Sequence, residues 1–175
     1  MELGCSERTL RRYVNEGVLR GRRITAQLEF SSGEESYLRS HWTLLKTLKR
    51  TLRTERDVRL AVLFGSTATG DDRASSDVDV LIAHRRAGQR PLAGVRLRLR
   101  RVLGKPVHVV SLEQAHTSPS LLADILREGR VLIDRDGLWH ELTSQYDNVL
   151  ARAAHEEQAS AASAREAVAA ARARI

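Results

Sequence analysis

Apolar residues along this chain keep helical spacing at the front, turn into strand-like runs in the middle, and thin out toward the end. Between Arg8 and Glu16 the pattern is helical: Leu10 and Val14 share one face with Tyr13 beside them, and Arg8, Arg11, Arg12 and Asn15 share the other. Ser6 stands where an N-cap belongs, and Gly17 where a chain leaves a helix through the left-handed region. Val18 and Leu19 form a short apolar return, and Arg20 to Ile24 with Gln27 to Phe30 read as the two arms of a hairpin. Ser32 and Glu35 have capping-box spacing, which predicts a helix from Ser32 to about Glu55. Its apolar face carries Tyr37, Leu38, Trp42, Leu45, Leu48 and Leu52, and its other face Arg39, Lys46, Lys49, Arg50 and Arg53.

From Val58 the period changes. Val58 to Phe64 is a buried-strand run that ends directly on Gly65 and Ser66, and Thr67 to Ala74 reads as a short helix or loop. Asp77 to Ala83 is a second strand. Pro91 to Leu103 fits two templates: Val95, Leu97 and Leu99 alternate with Arg96, Arg98 and Arg100, yet Leu92, Val95, Leu99 and Val102 have helical spacing. Helix is the reading taken, because the strands on either side need a crossover. Val107 to Ser111 is a third strand, Leu121 to Glu128 a helix stopped by Gly129, and Arg130 to Asp134 a fourth strand. From Leu138 the chain is predicted to be helical almost to its end. From Ala151 it is rich in alanine, which favours helix but buries little area, so this stretch is either solvent-exposed or packed on a partner, a second copy of the chain included. Trp42 is expected in the core between the front and middle segments, and Trp139 is expected to anchor the last helix.

Composition narrows the class. The 175 residues suit one domain with a small accessory one. Aromatic residues are 4%, so the core must be built from Leu, Val, Ile and Ala. A single cysteine, Cys5, excludes a disulfide framework within the chain and favours a reducing cytoplasm. Cys5 is expected as a core filler rather than a reactive thiol. No run is long and apolar enough for a membrane span, and the front has no secretory pattern. The net charge of +7 is uneven: +5 over residues 1–56, +3 over 57–137 and −1 over 138–175. A basic front fits contact with nucleic-acid phosphates, and an arginine-rich solvated surface accounts for it equally well.

The chemistry concentrates at Gly65-Ser66, followed after ten residues by Asp77-Val78-Asp79. Two carboxylates two apart on a strand project from one face, the arrangement that a hard cation such as Mg²⁺ (or Mn²⁺) requires. Gly65 lets backbone approach a phosphate closely, and Ser66 with its backbone N–H can bind a triphosphate oxygen. An Asp-x-Asp pair alone is more often a charged turn or strand end. Here an apolar strand runs straight into Gly-Ser, and Asp-x-Asp opens the next apolar strand. The histidines at 41, 84, 116, 140 and 155 show no metal-ligand spacing.

Leu63 to Ser66 together with Asp77 to Leu81 resembles the signature of the polymerase-β-like nucleotidyltransferase superfamily in its minimal bacterial form. Gly104 to Leu112 is similar to the strand that brings that family's third carboxylate, and Leu126 to Leu132 to its closing helix and strand. The resemblance covers about residues 57–145. It implies ATP or another NTP as substrate, Gly65 and Ser66 on the nucleotide, Asp77 and Asp79 on the metal, and in-line attack on the α-phosphate. Two metals about 3.5–4 Å apart would steady the attacking and leaving oxygens. The family's third acid falls at His108. A neutral imidazole can act as a base or a ligand but suits Mg²⁺ poorly, so the site is expected either to use His108 or to bind NTP with weakened transfer. His108 as a half-buried strand residue without a chemical role is the other reading. Glu113 lies past the strand's end.

Leu3 to Leu19 resembles the second half of a MerR-type helix-turn-helix, in which Arg8 to Glu16 would be the recognition helix and Arg8, Arg11, Arg12 and Asn15 would face DNA. The first helix of that motif would lie upstream of Met1. The same arginines on a merely solvated helix are the alternative. The expected architecture is therefore α/β (α+β). A nucleotidyltransferase-type mixed sheet with flanking helices occupies residues 57–145, a small winged helix-turn-helix residues 1–32, a connecting helix residues 33–56, and a long C-terminal helix residues 146–175. Minimal nucleotidyltransferases of this kind resemble the antitoxin half of bacterial two-gene modules, where the partner is a helical toxin that receives AMP. The resemblance thus implies an antitoxin-like protein that modifies or binds a protein toxin and represses its own operon on double-stranded DNA. A transcriptional regulator with an NTP-sensing domain and a small-molecule (antibiotic) adenylyltransferase are the alternatives.

Overall fold

Ser6 accepts the Thr9 backbone N–H and opens α1 (Glu7–Asn15). The helix ends on Gly17, whose φ of 74° places it in the left-handed region, with Val18 N–H bonded to Tyr13 O and Gly17 N–H to Val14 O. That pair of bonds satisfies two of the helix's orphan carbonyls and turns the chain sharply inward. This computed structural model describes residues 4–24, 27–85 and 92–172, with side chains described as far as residue 166. Leu3 and Pro91, both read above as parts of elements, lie outside the described residues. Two strands, β1 (Gly21–Ile24) and β2 (Gln27–Phe30), pair antiparallel as the expected hairpin. The long helix α2 (Ser32–Arg53) follows.

The cap of α2 is Ser31, one residue before the predicted Ser32. Ser31 Oγ accepts the Glu34 N–H, so no capping box forms on Ser32 and Glu35, and the Glu34 carboxylate is left for another partner. The basic face predicted for this helix also loses one member. Lys49 is only 4% exposed, because the turn after α1 packs over it: its ammonium donates to Leu132 O at 2.6 Å and lies 2.8 Å from Glu16 Oε2.

Beyond α2 come β3 (Val58–Phe64), the one-turn helix α3 (Ser66–Thr69), β4 (Val78–His84), α4 (Leu92–Leu103), β5 (Val107–Ser111), α5 (Leu112–His116), α6 (Pro119–Glu128), β6 (Arg130–Asp134), α7 (Leu138–Ser144) and α8 (Tyr146–Arg172). The four strands of the main sheet lie in the order β5-β4-β3-β6. Strand β3 is antiparallel to both neighbours, and β4 runs parallel to β5 with α4 in the crossover, as the helical reading of that segment requires. Helix α6 begins two residues earlier than expected, because Pro119 fits the first turn, where its missing N–H costs nothing.

Alternation along the strands divides the core into two layers. Ala61, Leu63, Val78, Val80, Ile82, Val107, Val109 and Leu132 meet α2, α4 and the end of α1. Leu60, Val62, Phe64, Leu81, Ala83, Val110 and Val131 meet α5, α6, α7 and the start of α8. Trp42 is buried against Tyr13, with ring centroids 5.5 Å apart, so it does join the front segment to the middle one. Cys5 is half-buried against the same layer. Trp139 packs with Tyr146 and Val149 in the second layer. Between Ala151 and Glu166 only Ala153 is buried. Among the described residues no helix is long and apolar enough to cross a membrane.

Among the described residues no strand lies beside the outer edge of β6, yet that edge is covered. Val131 N–H bonds to Gly17 O at 3.0 Å, Lys49 takes Leu132 O, and Arg20 Nη2 donates to Glu128 O at 2.6 Å just before the strand.

Candidate functional site

Strand β3 delivers Phe64 to the end of the sheet and stops at Gly65, whose φ of 69° and ψ of −161° an L side chain rarely adopts. The pairing register sets Phe64 opposite Asp79, and Asp79 opposite His108 on β5. Asp79 and His108 share a face with Leu81 and Val110, so both side chains stand on the α5–α8 side of the sheet. A Cβ added to Gly65 would lie 2.7 Å from Asp79 Oδ2: the carboxylate rests directly on the glycine backbone. His108 Nδ1 is 3.3 Å from Asp79 Oδ1, and its ring is largely exposed.

Asp77 stands one residue before β4 rather than within it. Val78 N–H pairs with Pro106 O and begins the ladder, while Asp77 O is taken by the Thr67 hydroxyl at 3.1 Å. Thr67 is buried in α3, so this bond ties the first carboxylate to the turn that carries Ser66. Sequence reasoning overlooked Thr67, and nothing in its local pattern marks it. The predicted residues Gly65, Ser66, Asp77, Asp79 and His108 thus come together at one sheet end. Arg8, Arg11, Arg12 and Asn15 form a separate group on the outer face of α1. There Arg11 pairs with Glu7 at 2.6 Å, and Arg12 lies 3.9 Å from Glu16 and over the Tyr13 ring.

The electrostatics of the sheet end favour an added cation. Burial pushes the Asp79 pKa above the ordinary carboxylate value, His108 pulls it back in part, and the Asp77 charge raises it again. A divalent cation beside these two carboxylates would relieve that repulsion. Among the described residues no three His, Cys, Asp or Glu side chains are gathered as a metal cage. The donor set therefore fits a cation that arrives with part of its oxygen shell already supplied, as on a nucleoside triphosphate. Opposite Asp79 on β5 stands His108, an imidazole rather than a carboxylate.

Behind the site, a second cluster links α2 to the loop between Gly70 and Asp77. His41 Nε2 lies 2.6 Å from Asp72 Oδ1, and its Nδ1 faces Tyr37 O at 3.2 Å; Lys105 lies 3.7 Å from the other Asp72 oxygen. His41 and Asp72 were not among the predicted site residues, and in the structure they hold the loop rather than face the carboxylates. A cavity of about 620 Å³ lies away from this chemistry, between Asn15 at the end of α1, Lys49 and Arg53 of α2, the edge of β6, and His140.

Residues 46–137, just over half of the chain, match the family described as polymerase beta, nucleotidyltransferase. Among solved structures, a toxin–antitoxin complex with AMP-PNP matches with a TM-score of 0.58 at 20% identity, over 69% of this chain and 97% of that one. The toxin–antitoxin MntA–HepT matches with a TM-score of 0.54 at 18% identity, over 70% and 97%. A tri-AMPylated Shewanella oneidensis HEPN toxin in complex with MNT antitoxin gives 0.54 at 18%, over 71% and 98%. At these identities the likeness is one of fold. No curated protein matches the chain.

Proposed function

The chain belongs to the polymerase beta nucleotidyltransferase family, and on that premise we propose that it binds ATP with a divalent cation at Gly65, Ser66, Asp77 and Asp79 and transfers AMP to a protein partner. The observation that carries this reading is the Asp79 carboxylate seated on Gly65, beside the carboxylate of Asp77, whose charge raises the Asp79 pKa. Mg²⁺ or Mn²⁺ held by Asp77 and Asp79 would supply charge neutralisation at the phosphates. In the transfer, an acceptor hydroxyl oxygen forms a bond to the α-phosphorus while the bond to the pyrophosphate oxygen breaks and pyrophosphate leaves. The hydroxyl proton needs an acceptor, and His108, exposed and next to Asp79, serves as that acceptor in this reading. The solved complexes of similar fold contain a toxin, and in one of them that toxin is tri-AMPylated, which supports a protein toxin as the acceptor here.

A second reading starts from the imidazole of His108 opposite Asp79. If it stands where the family has its third acid, the domain would bind NTP while transferring slowly and serve as a sensor joined to a DNA-binding helix. The α1 face with Arg8, Arg11, Arg12 and Asn15 is the surface that would dock on duplex DNA, and repression of the protein's own operon would follow from it.

One set of measurements separates the readings. MgATP should raise the melting temperature of the wild type, by about 2.7 kcal/mol of stability when it is at a hundred times its Kd, and should not raise that of Asp77→Asn with Asp79→Asn. An equal shift in both proteins defeats the site. Labelled AMP should appear on the partner: transfer slower with His108→Asp than with the wild type keeps His108 as the working base, and faster transfer marks it as a weakened position, a general base being worth about 10²–10⁴-fold. Binding without transfer in either protein favours the sensor. Duplex DNA binding should weaken with salt, with a log–log slope of about −0.9 per phosphate contacted, and Arg12→Ala should weaken it further.

A further inference from the structure

Arg130, at the start of β6, is 1% exposed, the bulkiest fully buried side chain among the described residues. Its guanidinium grips Glu34 with both Nη atoms, at 2.7 and 2.9 Å, donates from Nε to Ala68 O at 2.7 Å, and from Nη1 to Val18 O at 3.3 Å. Tyr37 lies beneath it, with the ring centroid 3.5 Å from Cζ, and the Tyr37 hydroxyl donates to Thr67 O at 3.1 Å. Glu34 Oε1 also accepts the Arg20 N–H at 3.0 Å. Taking both charges of such a pair out of water costs several kcal/mol each, and a well-packed apolar pair is often no less stable. What an apolar pair cannot supply is the donation to two carbonyls in two different segments.

One of those segments is α3. A helix of four residues has too few internal bonds to fix its own geometry, so its placement comes from outside. Arg130 and Tyr37 hold its Ala68 and Thr67 carbonyls from the α2 side of the sheet, and Thr67 in turn holds Asp77. The other segment, Val18 to Arg20, carries α1 into the fold.

We propose that Arg130, with Tyr37 stacked beneath it, is the positioning residue for Ser66 and Asp77, and that the same guanidinium anchors the turn behind α1. The front segment and the nucleotide turn then share one buried joint. The proposal rests on the reading of Gly65 to Asp79 as a nucleotide site.

The test is amide hydrogen exchange on the full chain, with and without MgATP, for the wild type, Tyr37→Phe, Arg130→Lys and Arg130→Met. In Tyr37→Phe the amides of residues 66–70 should exchange about tenfold faster, the scale of one lost hydrogen bond, while β3 and β4 keep wild-type rates. Arg130→Met should exceed that and extend the effect to residues 18–20, and Arg130→Lys should fall between. The Kd for MgATP should rise in the same order. A purely structural role predicts exchange that accelerates evenly across β3, β4 and α3 in step with global stability, and that outcome overturns the proposal. If Arg130→Met does not fold, Tyr37→Phe and Arg130→Lys decide. If MgATP fails to protect residues 66–70 in the wild type, the nucleotide reading falls, and the nucleotide-free exchange pattern still decides whether Arg130 sets the turn.

Discussion

Two clusters of charge flank the one-turn helix α3. On the α5–α8 side, Asp77 and Asp79 repel, burial raises the Asp79 pKa, and His108 compensates only in part. On the α2 side, Glu34 and Arg130 meet in a two-pronged pair with each remaining contact filled by a carbonyl, a backbone N–H or a ring. The first cluster keeps a net repulsion and is open to solvent. The second is finished and sealed. The difference teaches that buried charge and exposed charge answer to different tests: removing one member of the sealed cluster should cost stability as well as binding, and removing one of the open cluster should cost binding and leave the fold intact.

The largest expected effect is on Glu34. Glu34→Ala strands a guanidinium out of water and should lower stability by about 3–5 kcal/mol in urea denaturation. Asp77→Asn removes repulsion and should stay within about 0.5 kcal/mol of the wild type. Equal losses would break the comparison. Glu34→Met with Arg130→Met, which strands no charge, should recover most of the loss.

Gly65→Ala comes next, because it touches both requirements. The φ of 69° should cost about 1–3 kcal/mol, and the new Cβ, 2.7 Å from Asp79 Oδ2, should push the carboxylate off its seat. Loss of MgATP-induced stabilisation beyond what the melting change explains would sharpen the comparison. A variant that binds MgATP normally would contradict that seat.

The smallest effect is a slope. Burial raises the Tyr37 pKa from 10 to about 12, with Arg130 opposing the rise. The folded state therefore holds this proton more tightly than the unfolded one. Tyr37 contributes stability that is complete below pH 10 and declines as pH rises toward 12, by about 1.4 kcal/mol per pH unit within that window. Tyr37→Phe should flatten this part of the alkaline stability profile, measured by urea midpoints. An unchanged slope would place the titration elsewhere.

The sheet order's raw material was legible in the sequence: β5 and β6 fall on the residues that their apolar runs mark, and Gly65, Asp79 and His108 are brought together by neighbouring strands. Local period carries that information. The joint was not legible, because Glu34 and Arg130 are 96 residues apart and each reads as a surface charge in its own element. Lys49 misled for the same reason. Helical spacing places it among basic neighbours, and only the turn after α1, packing across it, makes it a buried donor. The cap of α2 slipped by one residue, since Ser31 and Ser32 are equally good caps and the choice falls to the Glu34 carboxylate and its distant partner.

Trimming the chain to the family match at residues 46–137 would strip Gly17, Arg20 and the apolar pair Val18 and Leu19 from β6. The bare border of that strand would then offer an unsatisfied Val131 N–H beside a newly wetted apolar strip, a template on which another chain could add a strand. A preparation lacking the front segment should therefore precipitate or form fibrils more readily than the full chain, read by turbidity against time.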